Sequence, residues 1–196
     1  MSESAGESTD KRVQKSKETV LAETYRLLTE EGLGGVSIDE VSRRCRVSKT
    51  TIYRHWPSRS ALLLDACSKM GAARPETPNT GTLKGDVSAL AKHLARQLQS
   101  AQWAVVLPSI IDAAERDPEL AQLHAKLQAG LMAPFIEVGD RARKRGELPP
   151  GYKATDLGAA VVAPLFYRRW FSREPIDDHF VKTVVNGVVG RPANKD

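Results

Sequence analysis

The stretch "VSKTTIYRHWPSRSALLL", Val47 to Leu64, sets Lys49, Thr50, Thr51, Tyr53, Arg54, His55 and Trp56 nearly side by side and follows them at once with a proline and a serine. A merely solvated helix has no use for the aromatics, and a core helix excludes the charges. Ser48 is placed to cap a short helix over "KTTIYRHW", Pro57 ends it, and Ser58 caps the next, "RSALLLDACSKM". Ile52 and Trp56 lie one helical step apart and read as the inward face. Tyr53 falls on the same outward surface as Arg54 and His55.

Immediately upstream, "GVSIDEVSRRC" carries Ser37 with Glu40 three residues on, a capping-box spacing, and Ile38, Val41 and Cys45 share one face. Before it, Val20, Leu21, Thr24, Tyr25, Leu27 and Leu28 recur at helical spacing from Lys11 to Glu31, where Gly32 stops the pattern. Residues 1–10 are polar, lack periodicity and read as a flexible tail. Four helices in so short a span, the second and third very short, are the layout of a helix-turn-helix module with its third helix turned outward. That module is assigned residues 11–57, with 58–70 as a connecting helix.

The Gly-, Pro- and Thr-rich segment around 71–82 reads as a linker. Residues 83–196 then show only helical patterns, over 83–100, 103–116, 117–145, 155–171 and 177–189. Asp117 followed by Pro118 marks the start of the third of these, and "RGELPPGY" breaks it. No stretch reads as a strand. The expected fold is all-α, an N-terminal helix-turn-helix domain joined to a C-terminal helical domain.

Net charge is +5, and its placement says more than its size. Between Glu40 and Asp65 there is no acid, while Arg43, Arg44, Arg46, Lys49, Arg54 and Arg59 all fall in that window. An exposed helix N-terminus, short hydroxyls and a long guanidinium suit phosphates and base edges. Cys45 and Cys67 read as reduced core thiols. The four histidines lack metal-ligand spacing, no HExxH or CxxC occurs, and no nucleophile elbow or Gly-rich phosphate loop is present. Neither metal, cofactor nor enzymatic activity is expected. No apolar run is long enough to span a bilayer and the acidic N-terminus does not resemble a signal peptide, so a cytoplasmic protein without a membrane partner is expected. Arg141, Arg143, Lys144 and Arg145 close a helix, where positive charge offsets the helix dipole, a second DNA contact being the alternative.

"VSIDEVSRRCRVSKTTIYRHWPSRSALL" resembles the N-terminal signature of the TetR family of transcriptional regulators. In that family a Ser or Thr opens the second helix, a Ser-Lys pair starts the third, and Tyr, His and an aromatic follow, spaced as Tyr53, His55 and Trp56 are here. The likeness spans residues 11–70, and "DPEL" and "RGELP" extend it weakly into the second half. Thr50 stands where many relatives carry Gly or Ala, and Arg54 at a variable position, differences that bear on which sequence is read. The resemblance implies a double-stranded DNA operator, with Lys49, Thr50, Thr51 and Arg54 as major-groove readers at the helix capped by Ser48. It implies Ser37, Arg44, Tyr53, His55 and Arg59 as phosphate contacts.

The second half offers two further expectations. "LGAAVVAPLFYRRWF" is apolar on nearly every face and needs cover on both sides. A homodimer interface through the last two helices is expected from Gly158, Val162, Leu165, Phe180, Val184 and Val188, as the resemblance also implies. Pro108, Pro134 and Pro164 fall inside helical patterns, and bent helices pack with gaps. A cavity lined by Trp103, Leu107, Ile111, Leu127, Leu131, Phe135, Phe166, Tyr167 and Trp170 is expected, although for any one of these taken alone core is the better reading. The resemblance implies a small-molecule inducer in this domain, and that lining makes it largely apolar. Together these suggest a dimeric repressor on a palindromic operator, released by an inducer. The alternative is a DNA-binding architectural or partner-recruiting dimer without a ligand.

Overall fold

The computed structural model describes residues 3–68, 76–99, 101–149 and 151–190, the side chains of 3–12 and 101–104 lying outside that description. Helices α1 (Glu3–Gly35), α2 (Ile38–Cys45), α3 (Lys49–His55) and α4 (Arg59–Ala66) are followed by α5 (Leu83–Gln99), α6 (Ala101–Ala114) and α7 (Pro118–Lys144). Helix α8 (Ala154–Tyr167) runs into a π-helical turn, Arg168–Ser172, and α9 (Asp178–Val189) comes last. No strand occurs among the described residues, and the fold is all-α. Helix α1 begins at Glu3, within the stretch read from the sequence as a tail.

Three serines punctuate the N-terminal half as their spacing predicts. Ser37, Ser48 and Ser58 accept hydrogen bonds from the backbone N–H of Glu40, Thr51 and Ala61 at 3.1, 3.2 and 3.1 Å. Such caps contribute about 1 kcal/mol each. Gly32, with φ 71°, interrupts α1 where the sequence stops it. The turn between α2 and α3 is made by Arg46 in the left-handed region, φ 54°, and Ser42 Oγ donates to Val47 O at 2.7 Å across it.

The chain forms two compact units. The first holds α1 to α4 and, in addition, residues 105–127 of α6 and α7. Its core joins Leu21, Leu27, Leu28, Val41, Ile52, Leu62 and Leu63 to Val106, Ile110, Leu120 and Leu123. The sequence assigns 105–127 to the C-terminal domain, whereas these four aliphatics share a core with the helix-turn-helix. Cys67 is buried in the same core, and burial pushes its thiol up to about 12. Cys45 is half-buried, and both cysteines are free thiols.

In the second unit α5, α8 and α9 pack on one another. Val87, Leu90, Leu94 and Leu98 of α5 are buried, as are Leu157, Val161 and Leu165 of α8 and Val181, Val184 and Val185 of α9. The approach to α5 is anchored by the end of α7. Thr80 donates from N and Oγ1 to buried Asp86 at 2.6 and 2.8 Å, Arg141 donates to Pro78 O, and Glu147 accepts from Leu83 N. Arg145 pairs with Glu147 at 2.6 Å, and Arg143 reaches Asp140 and the carbonyl of Tyr152. The basic cluster at the end of α7 therefore has local tethering work as well as a dipole to offset.

Pro108, Pro134 and Pro164 lie inside α6, α7 and α8, as their spacing suggests. Gly139 lets α8 start against α7, since a Cβ there would lie 2.7 Å from Ala154 Cβ and 3.1 Å from its Cα. The obstacle is partly backbone and cannot swing aside. Gly139→Val is expected to lower the stability of the protein by ~2 kcal/mol or more, through overpacking and lost helix propensity. A urea midpoint followed by helical circular dichroism would measure it.

Candidate DNA-binding site

The outward face of α3 is built by what its inward face buries. Ile52 is fully buried and Trp56 is 5% exposed, which fixes the rotation of the helix. Trp56 Nε1 donates to Asp65 Oδ2 at 3.0 Å and ties the end of α3 to α4. With that face inward, Ser48, Lys49, Thr50, Tyr53 and Arg54 are exposed and Thr51 and His55 half-buried. Tyr53 is 51% exposed although it is a large aromatic. The Thr51 hydroxyl lies 2.8 Å from Ser48 Oγ, within the cap, whereas Thr50 points to solvent without such a partner among the described residues.

The basic residues of the acid-free window have different employment. Lys49 Nζ lies 2.7 Å from Asp39 Oδ1, with both side chains mostly exposed. Exposed pairs contribute about 0–1 kcal/mol, so Lys49 can exchange this carboxylate for a phosphate or a base edge at little cost. Arg54 is exposed and has no carboxylate partner among the described residues. Burial of its ring, together with the positive charges of Lys17 and Arg54, holds His55 below the usual imidazole range, so it is neutral near pH 7. Lys17, on α1, extends the basic face, and no residue of α1 is assigned to it from sequence. The run of Lys11, Arg12, Lys15 and Lys17 was the available signal.

Two expected phosphate contacts have partners within the protein. Arg44 donates from Nε to Glu40 Oε1 at 2.5 Å and from Nη2 to Glu31, with Glu30 and Glu23 at 3.6 and 3.8 Å, and its side chain is only 20% exposed. It joins α2 to α1 through four carboxylates, three of them on α1 and distant in sequence. Arg59 donates from Nε to Val36 O at 2.6 Å and from Nη2 to Leu33 O. It adds a donor to two carbonyls at the α1–α2 junction, of which that of Leu33 also accepts from Val36 N at 3.4 Å. Both guanidiniums hold the module together. Ser37, exposed at the N-terminus of α2, is a cap whose hydroxyl oxygen faces Glu40 N.

Comparison with known proteins settles what this module belongs to. Residues 20–66 match the family model described as bacterial regulatory proteins, tetR family, and residues 77–188 match the tetracyclin repressor-like C-terminal domain. The chain belongs to the TetR family. Among its relatives, the HTH-type transcriptional regulator YdeS of Bacillus subtilis is 29% identical over 85% of this chain and 84% of that protein. The DNA-binding transcriptional repressor TetR of Mycobacteroides abscessus is 29% identical over 87% of this chain and 90% of that one. A crystal structure of the TetR family transcription regulator SCO0332 superposes with a TM-score of 0.75 at 28% identity, covering 91% of this chain and 99% of the other. This TetR-family protein is accordingly a DNA-binding, helix-turn-helix transcriptional regulator.

The residues expected to line a cavity in this TetR-family chain are divided between its two units. In the first, Leu107 is buried, Leu127 packs against the core and Ile111 is 38% exposed. In the second, Phe135 is buried with Gly158 backed against it, Leu131 is half-buried, and Phe166 meets Trp170 edge-on at 4.8 Å. Tyr167 is 60% exposed and stacks on the more exposed Phe171, so it is a surface residue. The side chain of Trp103 lies outside the described residues. Of the eight whose side chains are described, only Trp170 borders the cleft of about 780 Å³ formed in the second unit by Leu98, Gln99, Arg168, Arg169, Trp170 and residues 173–177.

The residues expected at a dimer interface differ in exposure. Leu165 is fully buried, Val162 and Val184 are 6% and 8% exposed, and all three are consumed in packing within the chain. Gly158 lets Met132 and Phe135 of the same chain approach. Phe180 lies under the Arg168 guanidinium at 3.5 Å, and Val188 is half-buried. The faces left open are Ala159, Ala160, Ala163 and Tyr167 on α8, and Thr183, Asn186 and Gly187 on α9.

The carboxylate–arginine hub under α2 makes a pH prediction. Hydrogen bonds from Arg43 and Arg44 hold the Glu40 carboxyl down at about 2 against an ordinary 4.5. A carboxyl depressed by folding stabilises the native state above its unfolded value and loses that contribution as it protonates. Stability is therefore expected to fall as pH drops from 4.5 toward 2, and Glu40→Gln should flatten that part of the profile. Urea midpoints measured across the interval for both proteins provide the check.

Proposed function

We propose that this regulator is a repressor that binds, as a homodimer, an operator with two inverted half-sites and leaves it when a small molecule binds. The observation that carries the reading is the capped, outward α3, with Lys49, Thr50 and Arg54 exposed beside the phenol of Tyr53. Arg54 can fork onto guanine O6 and N7, Thr50 can meet a thymine methyl or donate its hydroxyl, and Lys49 can reach either a base or a phosphate. Tyr53, His55 and Lys17 supply phosphate contacts around that helix, with the caps of Ser37 and Ser48 presenting helix N-termini. The repressor name of the Mycobacteroides abscessus relative supports repression.

Dimerisation is assigned to the open faces of α8 and α9, where Ala159, Ala163 and Gly187 permit close helix approach. Release is assigned to the coupling between α3 and α4. Trp56 and Asp65 link the two helices, and α4 shares its core with Val106 and Ile110 of α6. A ligand that favours a shifted α6 would carry α4 and α3 with it, and such couplings reach about 1–3 kcal/mol.

Operator binding measured against salt tests the DNA-binding part. With about three phosphates neutralised per subunit, the log–log slope should lie near −5. Arg54→Ala should cost about 1–3 kcal/mol at one base pair of each half-site and relax preference there, while Tyr53→Phe should weaken all sequences alike. Unchanged preference in the Arg54 variant would remove it from base reading. Ala163→Glu should convert the dimer to monomer on sedimentation and weaken operator binding, because one exposed carboxylate becomes two that face each other across the twofold axis. A variant that stays dimeric would place the interface elsewhere.

A further inference from the structure

We infer that the cleft at the C-terminal end of α5 binds the anionic head of the regulator's effector. The inference deepens the ligand-responsive reading and rests on it. The cleft, about 780 Å³, is walled by the end of α5 and by the segment from Arg168 to Asp177. That segment carries three arginines and two acids, and the acids are already engaged. Glu174 lies 3.3 Å from Arg168, which also donates to Pro175 O at 2.6 Å and covers the ring of Phe180. Asp177 caps α9, accepting from Phe180 N at 2.8 Å. Arg169 and Arg173 are left over, and neither forms an ion pair among the described residues.

Two guanidiniums on one short segment repel unless an anion lies between or beside them. The backbone there is shaped against its preferences. Residues 168–172 form a π-turn, and Arg173 takes the left-handed region at φ 55° without being glycine. Conformations of this kind concentrate at ligand sites. Trp170, held edge-on by Phe166, and Ile176 supply an apolar wall beside the charges. A carboxylate or phosphate on an apolar body fits this arrangement.

The test is calorimetric titration of the full-length protein with octanoate, octyl phosphate and 1-octanol, which share a chain and differ in the head. Both anions, or the one whose head fits, should bind saturably and at least about tenfold more tightly than the alcohol, the difference between charge-assisted contacts and none. Which anion binds better identifies the head as carboxylate or phosphate. An Arg169→Gln, Arg173→Gln double variant, checked for intact fold by circular dichroism, should lose about tenfold or more for the anions and nothing for the alcohol. The corresponding double Lys variant should recover part of the loss. Equal binding of 1-octanol and the anions, absence of saturable anion binding, or an unaffected double Gln variant would overturn the site. Operator affinity is measured separately with and without the bound anion. Anion binding that leaves operator affinity unchanged keeps the site but overturns its role in effector response.

Discussion

A helix of seven residues has almost no stability of its own in water, because nucleation fixes several residues for a single hydrogen bond. Helix α3 exists because Ile52 and Trp56 are buried, which supplies about 1.5–3 kcal/mol for each side chain. That burial also decides which way the other six residues of α3 point. The polar face needs no strain to present itself to DNA; it is what remains after the apolar pair has found its core. Everything on that face inherits its position from two side chains that never meet the ligand.

Around this anchor the positive charges separate into two populations. Arg44 and Arg59 are committed to the protein, one to carboxylates of α1 and α2 and the other to backbone carbonyls near the α1–α2 junction. Lys49 and Arg54 remain available, and Lys17 joins them from a helix remote in sequence. Breaking the internal pairs would leave polar groups uncompensated, whereas the exposed ones exchange partners cheaply. The same division recurs in the second unit, where Arg168 is held by Glu174, Pro175 and Phe180 while Arg169 and Arg173 are not.

The helices were legible because their ends are chemically marked. Ser37, Ser48 and Ser58 cap, Gly32 and Pro57 interrupt, and the apolar spacing between them is regular. The identity of α3 as the presented helix was legible for the same reason. Charge commitment was not legible: a window from Glu40 to Asp65 looks free of acids, yet Glu23, Glu30 and Glu31 reach Arg44 from α1. Nor does periodicity tell an apolar face that packs within the chain from one that would meet a partner. Leu165 and Ala163 lie two residues apart on α8, and only the packing of α5 and α9 decides that the leucine is inside. The exposure of the aromatics was illegible in the same way, since Phe135 is buried and Tyr167 is 60% exposed.

The core beneath the helix-turn-helix is completed by Val106, Ile110, Leu120 and Leu123, which lie well beyond the end of α4 in the chain. The reading head and the segment that follows α5 are thus one folding entity despite the sequence inserted between them. Recombination that grafts this head onto the sensory half of another regulator would cut through a hydrophobic core rather than through a joint. Such a hybrid keeps its grip only if the donor brings matching aliphatics at the seam, which limits how freely heads and sensors can be exchanged as genes diverge.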